Sequence, residues 1–256
     1  MNPFTQQTIR SCIVAGAVGD ALGGIAERRS KTLSDDTQLT LATCEAILAV
    51  GHPEPQAIAQ RLRAWFVAGQ VTGLGSSTLK ALRDLEAGAH WALAGARGER
   101  AAGNGAAMRA APLAFFLDPS RPEERVRLRD IARITHHHDE AYIGALAVVV
   151  ALRRAAAGLD WSNAAVAPLL PDSRVRDNLE RAASIAGIEA VVRDVGSSGF
   201  VAETVPVAFE VARRMRVVGL EASLYELNAL GGIPTRSGRW QASSGASPTV
   251  MMPRIC

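Results

Sequence analysis

The sequence predicts a single, almost entirely helical domain. Apolar residues recur at helical spacing in several separate segments, and no stretch shows the alternation that is typical of a strand. The chain of 256 residues is 48% hydrophobic and 21% charged, an ordinary composition for a globular protein with ample core to bury. Alanine is abundant on the expected buried faces, which lets helix axes approach closely. We therefore expect one α-helical domain.

Helix boundaries follow from residues that start or break helices. The pattern predicts helices after Pro53–Pro55, up to Gly88, from Pro122, and after an N-cap at Asp139. Two apolar stretches, residues 13–25 and 141–152, are too polar or too short to be membrane or targeting segments. We expect both to be buried helices.

Composition and charge exclude several classes of protein. Cys12, Cys44 and Cys256 lie far apart, so they form neither a metal-type pair nor a disulfide framework. This cysteine usage indicates a reducing compartment, and we expect a cytoplasmic protein with no membrane partner. The net charge is only +3 and arginine is spread along the chain, which does not indicate a nucleic-acid surface.

An acidic turn precedes a helix predicted from Gln38 to Val50. Its residues are Ser34-Asp35-Asp36-Thr37. An N-cap explains one such side chain, and Gln38 three residues after Asp35 resembles a capping box, so the residues alone favour a cap. Adjacent carboxylates with flanking hydroxyls also offer the hard oxygen ligands that Mg²⁺ or Mn²⁺ prefers.

Three further segments give weak signals when each is taken alone. Gly19-Asp20-Ala21-Leu22-Gly23 with Glu27 is a small-residue helix that carries two acids, and Gly73-Leu74-Gly75 leads into a helix. The segment Gly103-Asn104-Gly105-Ala106-Ala107-Met108-Arg109 is glycine-rich and is predicted to open a helix whose free amides could face a phosphate. Each segment also has a commonplace structural explanation.

Three adjacent histidines, His136 to His138, raise the alternative of a zinc protein that also uses Glu140. Adjacent residues on a helix face different directions, and no partner motif occurs at a suitable spacing. One of the histidines as a hydrogen-bonding contact to a ligand is the favoured interpretation.

Taken together and in this order, these segments resemble the ADP-ribosylglycohydrolase family, which includes the dinitrogenase-reductase-activating glycohydrolases. The resemblance extends over roughly residues 8 to 232 and includes Gly199-Phe200-Val201 with Glu203. It implies an all-α, single-domain orthogonal helical bundle over residues 1–232. It also implies a hydrolase that cleaves the glycosidic bond of ADP-ribosyl groups on a protein or small molecule.

The resemblance assigns a role to individual residues. Ser34, Asp35 and Asp36 resemble ligands of a dinuclear Mg²⁺ or Mn²⁺ centre, and Glu27 and Asp36 resemble catalytic acids. Two such ions can bind ribose hydroxyls and activate a water for attack at the anomeric carbon. The remaining matched residues resemble the substrate-binding set, in which Phe200 stacks on adenine: Gly73, Gly75, Gly103, Asn104, Gly105, Met108, His136 and Phe200.

The sequence departs from the family after Gly231-Gly232. The family continues with Asp-Thr-Asp-Thr and so completes its metal site, whereas this chain reads Ile233-Pro234-Thr235-Arg236 and has no Asp or Glu after Glu226. Gly231 to Trp240 can be encoded as GGC GGG ATA CCG ACA CGA TCG GGT CGA TGG. One added C gives GGC GGC GAT ACC GAC ACG ATC GGG TCG ATG, which encodes Gly-Gly-Asp-Thr-Asp-Thr-Ile-Gly-Ser-Met.

We therefore infer that a single-base deletion altered the sequence after Gly232. We expect residues 233–256 to form an irregular tail and the metal centre to lack half of its ligands. The alternative is a non-catalytic ADP-ribose-binding or structural protein on the same fold, since fold does not fix function. A segment between Glu27 and Ser34 that is shorter than in many family members is a second departure, which would open one side of the cleft.

Overall fold

Helices carry nearly all of the regular structure in the computed structural model, which describes residues 4–26, 33–219, 222, 223 and 226. The predicted tail, residues 233–256, lies outside these residues. Eleven α-helices are described: α1 (Gln6–Ala26), α2 (Asp35–Val50), α3 (Pro55–Val67), α4 (Ser76–Glu86), α5 (Ala111–Ala114), α6 (Pro122–Arg133), α7 (Asp139–Ala156), α8 (Asn163–Val166), α9 (Arg174–Ala183), α10 (Ile188–Val195) and α11 (Val201–Val218). The prediction of an all-α fold is confirmed.

Two predicted helix starts differ from the structure. Helix α2 begins at Asp35 instead of Gln38, because the Ser34 hydroxyl accepts a hydrogen bond from the Asp36 amide and caps the helix there. The predicted cap of α7, Asp139, is instead its first residue. His138 is the N-cap, and its Nδ1 accepts a hydrogen bond from the Glu140 amide at 3.1 Å. The His138 imidazole therefore caps α7, whereas the sequence predicted the Asp139 carboxylate as the cap.

A two-residue parallel ladder interrupts the helices. Strand β1 (Ala96–Arg97) pairs with β2 (His136–His137), with Ala96 opposite His136. Segments this short cannot show alternation, so the sequence predicted no strand here. We define residues 103–108 as the glycine loop. The ladder places His136, the first of the three histidines, beside the segment that precedes this loop.

Helix α7 is the central helix of the core. Its residues 143–152 are all buried, and it packs against α5, α6, α9 and α11. Gly144 lets α11 approach closely, because a Cβ at this position would lie 2.1 Å from the Val201 side chain. The prediction of a buried helix at residues 141–152 is confirmed.

Helix α1 is less buried than the sequence indicated. It packs on α2 and α5 through one face, and Val14 and Val18 on the other are 54% and 44% exposed. No helix of the described segments has the length and apolarity needed to cross a membrane.

Candidate functional site

A cleft of about 390 Å³ opens between α2, α4, the glycine loop and the start of α11. This volume lies in the range of small-molecule sites. Fifteen residues line it: Asp35, Gly75, Ser76, Ser77, Thr78, Glu99, Arg100, Ala102, Gly103, Asn104, Gly105, Met108, His136, Gly199 and Phe200. Segments that are far apart in the chain therefore meet in one concavity.

The acidic turn forms one wall of the cleft. Asp35 lines it, the neighbouring Asp36 is buried at the start of α2, and Gly73 lies beside Asp35, since a Cβ on Gly73 would be 3.8 Å from Asp35 Oδ1. Asp20 of α1 holds the turn in place. Its Oδ2 accepts hydrogen bonds from the Ser34 amide at 2.8 Å and the Thr37 hydroxyl at 2.7 Å.

The sequence did not indicate this role of Asp20, although Gly19-Asp20 belongs to a segment that resembles the family. The contact joins two helices, so spacing along one helix carries no signal for it. The other proposed acid of this wall, Glu27, lies outside the described residues.

The glycine loop forms the opposite wall. The Asn104 amide donates to the Gly199 carbonyl at 3.1 Å, the Val201 amide donates to the Ala102 carbonyl at 3.0 Å, and Gly103 pairs with Phe200 in an antiparallel bridge. The Asn104 side chain also donates to the Thr204 hydroxyl at 3.3 Å. The loop and the start of α11 are therefore one hydrogen-bonded unit.

The helix predicted to open at this loop is present, but only as a short 3₁₀ helix. Residues Asn104–Ala106 form a single 3₁₀ turn, and the short helix α5 starts only at Ala111. Pro112 explains the break, because it has no amide hydrogen and its ring would clash with the carbonyl of Met108 in a continuous α-helix.

His136 lies against the glycine loop. It is only 3% exposed, and its Nδ1 is 2.8 Å from the Thr135 hydroxyl. Burial, with a smaller contribution from the positive charge of Arg109, lowers the pKa of His136 to about 3, so the imidazole is neutral at physiological pH. A Cβ on Gly105 would lie 2.6 Å from His136 Cε1, and one on Gly103 would lie 3.4 Å from Nε2. The Gly105 position therefore admits only glycine unless the ring moves.

The other two histidines point elsewhere. His137 Nε2 donates to the Ala94 carbonyl at 2.6 Å, and His138 caps α7. The run therefore does not converge on one point, which argues against the zinc alternative. Within the described segments no group of three or more His, Cys, Asp or Glu side chains is placed to hold a metal ion.

The acidic wall offers donors of the right type for a hard cation but few of them. The Ser34 hydroxyl and the Asp35 and Asp36 carboxylates are the oxygen donors that Mg²⁺ and Mn²⁺ prefer. The count from the described residues falls short of the six oxygens that such ions usually take, counting waters.

Phe200 and Gly75 also line the cleft. Phe200 is half-buried immediately before α11, and Gly75 is the N-cap of α4 without a side-chain capping bond. Seven lining residues were not among the predicted site residues: Ser76, Ser77, Thr78, Glu99, Arg100, Ala102 and Gly199. Ser76 to Thr78 directly follow the Gly73–Gly75 loop, so the position of this loop could have predicted them. Glu99 and Arg100 belong to no motif that indicates a binding site.

Comparison with known proteins gives three findings. The family model described as ADP-ribosylglycohydrolase matches residues 1–232. An uncharacterized protein of Archaeoglobus fulgidus is 30% identical over 236 residues, which covers 80% of this chain and 76% of that protein. A solved structure described as an ADP-ribosylglycohydrolase-related protein complex superposes with a TM-score of 0.69 and 22% identity, over 97% of this chain and 85% of that chain.

The structural likeness supports the fold, and the family model with the archaeal relative supports the lineage. The matched region includes every segment that lines the cleft. The chain belongs to the ADP-ribosylglycohydrolase family.

Proposed function

We propose that this protein binds ADP-ribosyl groups of a modified protein or small molecule in the cleft and hydrolyses their glycosidic bond. The observation that carries the proposal is the meeting of Asp35, the glycine loop, His136 and Phe200 around one concavity. A nucleotide-sized ligand needs an aromatic contact, a polar backbone surface and a reactive end, and the cleft offers all three. A cytoplasmic location is part of the same proposal.

Different residues of the cleft would contact different parts of the ligand. Half-buried Phe200 presents a ring for stacking on a base, and the glycine loop allows the backbone to approach the ligand closely because Gly103 and Gly105 have no side chains. His136 provides a neutral imidazole, which hydrogen-bonds a ribose or phosphate without adding a charge to the cleft.

The proposed reactive end is the acidic turn. Ser34, Asp35 and Asp36 would hold Mg²⁺ or Mn²⁺, which supplies Lewis-acid polarisation and a nucleophilic water when bound. Asp20 fixes the turn by its two hydrogen bonds to Ser34 and Thr37. Asp36 and Glu27 are the proposed catalytic acids.

Hydrolysis by the chain as it stands should be slow. No Asp or Glu follows Glu226, so the residues after it add no carboxylate to the site. Hard divalent ions bind weakly where oxygen ligands are few. This observation favours a second candidate function, binding of ADP-ribose without cleavage.

One experiment tests both candidates on three proteins. They are the chain as it stands, a version in which the reading frame after Gly232 is restored, and Asp35→Ala/Asp36→Ala in the restored version. Mg²⁺ and Mn²⁺ are titrated by calorimetry, ADP-ribose affinity is measured, and release of ADP-ribose from a modified protein is assayed. The restored version should bind metal and hydrolyse, whereas the chain as it stands should bind ADP-ribose with little turnover.

The double substitution distinguishes a metal role from a capping role. It should remove metal binding and turnover, yet cost at most about 1 kcal/mol of stability, because Ser34 still caps α2. An unfolded double variant, with metal affinity unchanged in the native fraction, would show that the carboxylates serve only the helix. Full activity with two tightly bound ions in the chain as it stands would contradict the argument from missing ligands.

A further inference from the structure

Arg109 is a buried guanidinium directly behind the glycine loop. The residue is 1% exposed and is among the largest fully buried side chains of the described residues. Its Nη1 donates to the Gly105 carbonyl at 2.6 Å and its Nη2 to the Ile131 carbonyl at 3.2 Å, while Nε has no acceptor. Among the described residues, no carboxylate forms an ion pair with it.

Such a charge is costly to bury. A cation moved out of water loses several kcal/mol unless an anion compensates it. Burial lowers the pKa of Arg109 to about 10, so the guanidinium is still protonated at neutral pH. Packing alone would be served at lower cost by an uncharged side chain of similar length, such as methionine.

The positive charge lies close to the cleft. Gly105, whose carbonyl accepts a hydrogen bond from Arg109, lines the cleft, and so does His136, which lies against Gly105. Arg109 itself does not line the cleft, and the charged residues that do are Asp35, Glu99 and Arg100. Glu99 and Arg100 are exposed, so solvent screens them more than it screens Arg109.

We infer that Arg109 is a positioning residue for an anionic diphosphate: it fixes the glycine loop through the Gly105 carbonyl, and its uncompensated charge favours a doubly negative group against that loop. The inference rests on the proposed function for the identity of the ligand, since the ADP-ribosyl group carries a diphosphate. The chemistry that it requires is the diphosphate alone. Adenosine, which lacks that group, should not depend on the charge.

The test compares charge with shape at one position. Arg109→Gln removes the charge but keeps a donor for the Gly105 carbonyl, and Arg109→Lys keeps the charge. Arg153→Gln is the matched control, because Arg153 also donates to a backbone carbonyl, Ala114 at 3.0 Å, but does not line or support the cleft. The probes are inorganic pyrophosphate, ADP-ribose and adenosine, titrated by calorimetry into the full chain.

Arg109→Gln should lower the affinity for pyrophosphate and ADP-ribose by about tenfold or more and leave that for adenosine within about twofold. Arg109→Lys should retain most of the pyrophosphate affinity, and Arg153→Gln should change none of the three. An equal loss for adenosine and pyrophosphate would reveal a merely structural role and overturn the inference, as would unchanged pyrophosphate affinity in Arg109→Gln.

Failure of the inference can be told apart from failure of the proposed function. If the unsubstituted chain binds pyrophosphate in an Arg109-dependent manner but not ADP-ribose, the inference stands and the proposed function falls. If the unsubstituted chain and Arg109→Gln bind ADP-ribose equally well, the proposed function stands and the inference falls. Absence of binding to either anion would overturn both.

Discussion

The two walls of the cleft are built differently. The glycine wall, residues 103–108 with His136 and the segment 199–200, is held by backbone hydrogen bonds to α11 and by contact with a fully buried ring. The acidic wall, residues 34–36, is a helix start held mainly by side-chain hydrogen bonds, which Asp20 makes from α1 and Gln38 makes to its neighbours Leu33 and Thr72. Both walls reach into the core, but backbone hydrogen bonds fix the first and side-chain hydrogen bonds fix the second.

This difference separates recognition from chemistry. The hydrogen bonds that hold the glycine wall join residues 102–104 to residues 199–204, at the start of α11. The reactivity proposed for the acidic wall depends on the number of oxygen donors, and the chain offers no carboxylate after Glu226 to add to it. We therefore expect ligand binding to tolerate changes that abolish hydrolysis, and we expect changes in the glycine wall to act on ligand binding and stability.

The largest effect is expected from Gly105→Ala. Its new Cβ would lie 2.6 Å from a ring atom of buried His136 and 3.1 Å from the Thr78 hydroxyl, so the loop or the ring must move. We expect the free energy of unfolding to fall by about 3 kcal/mol, at the upper end for an overpacked site. ADP-ribose affinity should fall by at least about tenfold. Urea unfolding measures the first effect, and calorimetric titration measures the second.

Gly103→Ala is the matched control for this change. Its Cβ would meet His136 Nε2 at 3.4 Å, an ordinary contact, so we expect a loss below about 1 kcal/mol. Equal effects at residues 103 and 105 would show that close approach to His136 does not shape this wall.

Lowering the pH should have an intermediate effect on the free energy of unfolding. The folded pKa of His136, about 3, lies below its usual value of 6.5, so the unfolded chain takes up a proton first as the pH falls. The folded state therefore loses about 1.4 kcal/mol per pH unit below 6.5 through this group, or about 2 kcal/mol at pH 5 relative to neutral pH. His136→Gln should remove this part of the slope in urea unfolding curves measured from pH 7.5 to pH 5.

Above pH 7 the imidazole is neutral in both states, so that range is the internal control. There the unfolding free energies of the two proteins should differ by a constant. A slope between pH 6.5 and pH 5 that is the same in both proteins would show that His136 can be charged in the folded state.

Local patterns predicted the helices well where a residue acts on its own backbone. Pro122 begins α6 and Gly88 follows the end of α4, because proline and glycine restrict or free the chain whatever surrounds them. The ladder between β1 and β2 could not be predicted in this way, since neither strand is long enough to show a period.

The cleft shows the same limit. The glycine loop was recognisable by composition and resemblance, yet its break before α5 required weighing Pro112 against the helical pattern. The positions of Asp20 and Arg109 were not predictable, because charged residues are usually exposed and only tertiary contacts bring these two inside.

The smallest effect is expected from Glu203→Gln, which should loosen only the part of the glycine wall that includes Phe200. Glu203 Oε2 accepts a hydrogen bond from the Ser198 amide at 2.8 Å, and a Cβ on Gly196 would lie 2.5 Å from the same oxygen, so this carboxylate packs under the turn that presents Phe200. A neutral amide oxygen makes a weaker bond than a carboxylate, by about 1 kcal/mol. Adenosine affinity should therefore fall by about fivefold while pyrophosphate affinity is unchanged, in calorimetric titrations.

Glu189→Gln, at a glutamate paired with Arg193 on the surface of α10, should alter neither affinity. A parallel loss for both ligands would mean that the wall responds as one rigid unit, whereas an unchanged adenosine affinity would mean that Phe200 needs no support from this turn.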